Sequence, residues 1–189
     1  PMKIGSFSAA SNVTGIMTDT EAVSSLLHRH GALACWDFAA AAPYIDIDMG
    51  SPSRSDSYFD AIFASPHKLI GGPGTPGLLV ARRELFTNRV PDVPGGGTVA
   101  YVNTDEHDYL PDITQREEGG TPAIVESIRA GLVFQLKAAV GVDEIRRREE
   151  AFVARAIDRW SANPAIEILG CLLYTSPSPR DLSTSRMPS

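Results

Sequence analysis

Apolar residues run together at the start of the chain and then space out. Ile4-Gly5-Ser6-Phe7-Ser8 opens residues 3–13, which read as a buried strand and its exit loop, ending in Ser11-Asn12-Val13-Thr14-Gly15. From Thr18 the period changes. Ala22, Val23, Leu26 and Leu27 recur at helical spacing and predict one apolar stripe. Thr18 with Glu21 has the form of a capping box, and Gly31 supplies a C-terminal stop. The run Ala32-Leu33-Ala34-Cys35-Trp36 follows directly. Strand, helix and strand with short connections predict a right-handed crossover unit of a parallel sheet.

Tyr44 to Tyr58 is polar and reads as a surface excursion, with Ile45, Ile47 and Met49 alternating well enough for a short edge strand. Residues 60–65 predict the next strand, and Gly77 to Ala81 a returning one, with a turn of helix near Arg83 to Phe86. Residues 90–122 are loop-rich in Gly and Pro, and a stretch that long is more often functional than idle. From Pro122 the pattern is helical through Ala139, with Ile124, Ile128, Leu132 and Leu136 in register. A second helix runs from Val142 to about Trp160, its exposed face carrying Arg146 to Glu150, and Ile166 to Leu169 reads as a further strand.

Composition narrows the classes. A chain of 189 residues holds one domain, or one and part of another. A net charge of -6 argues against a nucleic-acid surface, and no apolar run approaches the ~20 residues of a membrane span. Cys35 and Cys171 form no disulfide framework or zinc spacing, and Cys35 reads as a buried free thiol. The opening at Pro1 reads as a strand entered from upstream, and with no signal peptide visible a cytoplasmic location is the expectation. Cys171 to Asp181 resembles the translation of a transposase adapter used in sequencing libraries. Residues 171–189 are therefore expected to be disordered and without function.

Chemistry concentrates at Lys68. It follows an apolar strand and Ser65-Pro66-His67, and precedes Gly71-Gly72-Pro73-Gly74. A lysine at a strand end beside a hydroxyl and an imidazole suits an amine that forms a Schiff base with a carbonyl cofactor, with an anion site next to it. Asp37 ends an earlier apolar strand, where a carboxylate can hold a protonated pyridine nitrogen; a helix or turn cap is its alternative role. Together they point to pyridoxal 5'-phosphate. Gly72 to Gly77 satisfies G-x-G-x-x-G by letter, but two prolines and a following strand remove the helix that a dinucleotide site needs. His28 and His30 suit a helix end better than a metal, and His107 lies in a polar loop.

The motifs Ser11-Asn12-Val13-x-Gly15, Asp37, Ser65-x-His67-Lys68, Gly95-Gly96-Gly97-Thr98 and Arg116-x-Glu118-x-Gly120-Thr121-Pro122 stand in one order. In that order and spacing, the chain resembles the aminotransferase class V family of fold-type I enzymes, nearest its cysteine desulfurase and selenocysteine lyase branch. The resemblance implies a three-layer α/β/α domain with a mostly parallel sheet over residues 1–140. Residues 141–170 would be a linking helix and the start of a smaller domain.

By the same resemblance, Asn12 sits near the cofactor hydroxyl and Asp37 at the ring nitrogen. Ser65 and His67 hold the phosphate, and Lys68 carries the Schiff base and moves protons. Thr121 matches a residue that reaches the phosphate of the partner subunit, which implies a homodimer with shared sites acting on an amino acid. Ala40 stands where the family often has a glutamine. A cofactor-free binding or scaffold module of the same fold, and a nicotinamide enzyme, are the other classes.

Overall fold

Four strands form the main sheet: β1 (Lys3–Ser8), β2 (Ala32–Asp37), β3 (Ala61–Ala64) and β4 (Leu78–Ala81), in that spatial order. This is a computed structural model, and it describes residues 1–169. β1 pairs β2 and β2 pairs β3 in parallel, while β4 returns antiparallel to β3. The fold is α/β with a mostly parallel sheet. The first crossover is α1 (Thr20–Arg29), which packs on β2.

The alternation of β2 sets the two faces of the sheet. Ala32, Ala34 and Trp36 are buried, while Leu33, Cys35 and Asp37 on the opposite face are half-buried. Trp36 brings a polar N–H into the core and needs an acceptor there. It finds one in Ser24 of α1, Nε1 donating to Oγ at 2.9 Å, and Ser24 is fully buried. The expected apolar stripe of α1 is therefore rotated. Leu26 stays 48% exposed, whereas the Leu27 methyls lie against Gly5, where a Cβ would come within 2.6 Å of them. The helix starts one residue later than the capping box predicts: Asp19 caps it, Oδ1 accepting from Ala22 N at 3.0 Å. Thr18 instead donates its hydroxyl to Ser8 O at 2.9 Å, which ties the helix entry to the end of β1.

Trp36, Phe38, Phe59, Ile62 and Leu69 form the core with Ala9, Ala41 and Ala42. Ile45, Ile47 and Met49 pack against that core without forming an edge strand. Residues 90–122 hold more structure than expected: a hairpin of β5 (Val99–Val102) and β6 (His107–Tyr109), then α2 (Ile113–Glu117). Asn103 closes the hairpin turn, its side-chain oxygen accepting from Asp105 N and Glu106 N.

Two long helices follow, α3 (Ile124–Val140) and α4 (Val142–Ser161). The predicted stripe of α3 does not face inward, for Ile124, Ile128, Leu132 and Leu136 are all exposed. Ala130 and Val133 are buried instead, with Phe134 partly so. Two cations on that same side decide the rotation: Arg129 Nη1 donates to Pro73 O at 3.0 Å, and Lys137 Nζ donates to Ile45 O. Residues 166–169, expected as a strand, carry no regular structure. The adapter-like residues 171–189 lie outside the described residues. No helix among the described residues is long and apolar enough to cross a membrane.

Candidate functional site

In an open α/β sheet the strands' carboxyl ends, where loops leave the hydrogen-bond ladder, are the usual ligand edge. β1, β2 and β3 run the same way, so the segments after Ser8, Asp37 and Ala64 emerge at one edge. Asn12, Asp37, Ser65, His67 and Lys68 all lie there.

Backbone bonds hold these segments together. Ala9 N donates to Asp37 O at 2.9 Å, and Phe38 N donates to Phe63 O at 2.8 Å. The loop carrying Asn12 is closed by Ser11, whose hydroxyl accepts from Val13 N and Thr14 N, and by Gly15, whose φ of 72° suits glycine. Asn12 itself is exposed.

Asp37 is half-buried, and its Oδ1 accepts from Ala39 N at 2.7 Å. The turn-capping role is therefore real. It uses only part of the carboxylate's acceptor capacity, which extends to about four lone-pair directions. Cys35, two residues back on the same face, is a half-buried free thiol. Burial pushes that thiol above its usual range, and the Asp60 carboxylate pushes it further the same way.

The lysine turn has a period of three. Pro66, Leu69, Gly72 and Thr75 are buried, while His67, Lys68, Ile70, Pro73 and Gly74 face out. Successive bonds link it: Lys68 N to Ser65 O, Leu69 N to Pro66 O, Gly72 N to Leu69 O and Thr75 N to Gly72 O, each at 3.0 Å. Gly72 must be glycine, since a Cβ there would lie 1.9 Å from Pro66 O. The result is a stiff turn that holds Lys68 outward, and among the described residues Lys68 Nζ has no hydrogen-bond or ion-pair partner. The G-x-G-x-x-G letters end in β4, not in a helix, so no helix N-terminus meets a pyrophosphate there.

Thr121 has no hydrogen bond to this edge among the described residues. It is exposed and follows Gly120, whose N–H donates to Gly96 O at 2.8 Å. The glycine motif at 95–97 and the Arg116–Pro122 motif, separate in sequence, are thus one interlocked unit. Among the described residues no hydrogen bond or ion pair joins Thr121 to Asp37 or to Lys68.

Sequence reasoning missed a buried charge cluster at the other end of β3. Asp60 is 2% exposed; its Oδ2 accepts from Ala34 N at 2.8 Å and lies 2.8 Å from His28 Nε2. The His28 ring stacks on Tyr58 at 4.0 Å, and Arg82 covers that same tyrosine. The signal in the sequence is an aspartate inside an otherwise apolar strand entry, Phe59-Asp60-Ala61-Ile62. A cavity of about 360 Å³ is lined by Met49, Gly50, Pro52, Phe59 and Ala81 to Glu84, and neither Asp37 nor Lys68 lines it. Its open, partly charged lining does not compete with the strand-end edge. Among the described residues no cluster of His, Cys, Asp and Glu could hold a metal.

The residues at the strand-end edge fit pyridoxal phosphate by donor type: a carboxylate for a ring N–H, a hydroxyl and an imidazole for an anion, and an amine with no competing partner. A probable cysteine desulfurase of Streptomyces coelicolor is 29% identical over 168 residues, covering 89% of this chain and 38% of that protein. Another from Staphylococcus aureus is 30% identical, covering 89% and 39%. The crystal structure of the cysteine desulfurase CsdA from Escherichia coli matches with a TM-score of 0.74 and 25% identity, over 86% of this chain and 39% of that one. The apo cysteine desulfurase from Thermococcus onnurineus shares the fold with a TM-score of 0.74 at 22% identity, over 91% and 41%. The chain spans about two fifths of the length of these proteins. The family model for Aminotransferase class-V matches residues 2–178, and the chain belongs to that family.

Proposed function

We propose that this chain carries the pyridoxal 5'-phosphate site of an enzyme acting on an amino acid, of cysteine desulfurase or class V aminotransferase type. One observation supports it most: Asp37 and the Ser65–Lys68 turn leave adjacent parallel strands at the same edge. When bound, the cofactor supplies an electron sink for bond breaking at the substrate's α-carbon.

The chain's own residues do the rest. Asp37 accepts a hydrogen bond from the ring nitrogen and keeps it protonated. Ser65 and His67 donate to the phosphate, and Asn12 lies by the ring hydroxyl. Lys68 would supply the amine that holds the cofactor, and its Nζ would be the group at that edge able to move a proton. Thr121, by the family resemblance, reaches the phosphate of a second copy, which makes the working unit a homodimer. Residues 1–140 form the cofactor-binding part, and 141–170 the link to a smaller domain.

The test is to titrate the chain with pyridoxal phosphate and record visible absorbance. Wild type is expected to gain a lysine-dependent band that Lys68→Ala lacks, and Asp37→Asn is expected to weaken binding about tenfold or more, the cost of one charged hydrogen bond. An identical band in Lys68→Ala contradicts the assignment. Failure of every variant to take up the cofactor supports the cofactor-free module.

A further inference from the structure

Arg116 is 9% exposed, an unusual setting for a guanidinium, which is rarely buried without partners. Its Nη2 donates to Asn88 O at 2.9 Å and its Nη1 to Leu110 O at 3.3 Å. These two carbonyls come from opposite ends of the segment that contains the hairpin. Nε has no hydrogen-bond partner, and its nearest carboxylate is Glu117 Oε1 at 3.8 Å. One planar fork therefore joins the chain before the glycine turn, the strand exit after the hairpin, and α2.

Thr98 is fully buried, its hydroxyl donating to Gly95 O at 2.6 Å, and Leu110 N donates to Thr98 O at 2.9 Å. Gly119 passes so close that a Cβ would lie 3.0 Å from Val93 O. Gly120, at φ 91°, then donates to Gly96 O, and the next residue is Thr121. The bonds from Leu110 to Thr98 and from Gly120 to Gly96 cross between segments 88–98 and 110–120, and Arg116 is the one charged group buried between them among the described residues.

We propose that Arg116 is the positioning residue for Thr121: its guanidinium holds the Gly96–Gly120 contact closed and so fixes where Thr121 is presented. It acts through the backbone and does not itself touch the cofactor. The inference rests on the reading of Thr121 as a phosphate ligand of the partner subunit's site, and the experiment separates the two.

Arg116→Met, Arg116→Lys, Thr121→Ala and the Arg116→Met/Thr121→Ala double variant are made in the 189-residue chain. Without cofactor, amide hydrogen exchange at Gly120 and Leu110 is expected to speed up at least about tenfold in Arg116→Met, while β2 amides keep their protection. Arg116→Lys is expected to recover only part, because one ammonium cannot span both carbonyls. Unchanged exchange at Gly120, or equal loss in β2, overturns the proposal. Should the methionine variant fail to fold, the lysine variant carries the same comparison against β2.

With pyridoxal phosphate, Thr121→Ala and Arg116→Met are each expected to weaken binding about tenfold, and the double variant no further than the worse single. Independent, multiplying losses overturn the positioning role. Wild-type affinity in Thr121→Ala instead refutes the reading of Thr121, and the exchange data still decide whether Arg116 closes the contact.

Discussion

Asp37 and Phe63 are register partners on adjacent parallel strands, which brings the carboxylate and the lysine turn to one edge of the sheet. Ser65 follows Phe63 by two residues and Lys68 by five, so the turn begins where the ladder ends. Two groups 31 residues apart in sequence (Asp37 and Lys68) become neighbours in topology through a single strand pairing. Disturbing the turn should therefore disturb the site even when no chemical group is removed.

Gly72→Ala is the sharpest such disturbance. The added methyl would sit 1.9 Å from Pro66 O and 2.8 Å from Pro66 C, both backbone atoms that cannot swing aside. A loss of about 3 kcal/mol is expected from forced overpacking, read as a lower urea midpoint. A variant as stable as wild type would show that the turn is looser than its period-three burial implies.

The cluster around Asp60 predicts a large structural effect far from the chemistry. Asp60→Ala strips an acceptor from Ala34 N and from His28, and leaves Arg82 with one carboxylate fewer, 3.9 Å away in the folded chain. Breaking a buried charged pair typically costs about 3–5 kcal/mol. Chemical denaturation checks this, and a loss below about 1 kcal/mol would mean that the cluster is not a stabilising unit.

The strands of the main sheet, the crossover and the strand-end edge were all legible in the chain, because short apolar runs bounded by turn residues have few other uses. Helix rotation was not. In α1 the position of Ser24 depends on the indole of Trp36, and in α3 the inward face depends on Arg129 and Lys137 reaching carbonyls in distant loops. Periodicity sees apolar spacing, and these rotations were decided by polar atoms. The hairpin at 99–109 was hidden for another reason: most of its strand residues are exposed, so alternation was not imposed on them. The candidate site was read from residue types at strand ends, and the interlock of its two glycine motifs became visible only in three dimensions.

Cys35 should react sluggishly. Burial first, and Asp60 second, hold its thiol above the ordinary range, so less of the nucleophilic thiolate is present at any given pH. In a Cys171→Ser background, alkylation of the folded chain is expected to rise at higher pH than alkylation in urea. Coincident pH profiles would contradict the burial of this side chain.

Glu144 predicts an acid-sensitive helix start. Hydrogen bonds from Arg147 and Arg148 hold its carboxyl down from 4.5 to about 2. Its folded value lies below its unfolded one, so the stabilisation is present above pH 4.5 and is lost as pH falls through about 2. The carboxylate is partly open to solvent, so the effect is modest and weakens in salt. Helicity of wild type is expected to fall through that window more than that of Glu144→Gln. Parallel curves would remove the pairs from the account.

The most direct measurement is borohydride reduction of the chain saturated with pyridoxal phosphate, followed by peptide mass mapping. The cofactor mass is expected on the peptide containing Lys68, and to vanish from that peptide in Lys68→Ala. Cofactor mass fixed on another lysine, with Lys68 unmodified in wild type, would contradict the assignment of the strand-end edge as the site.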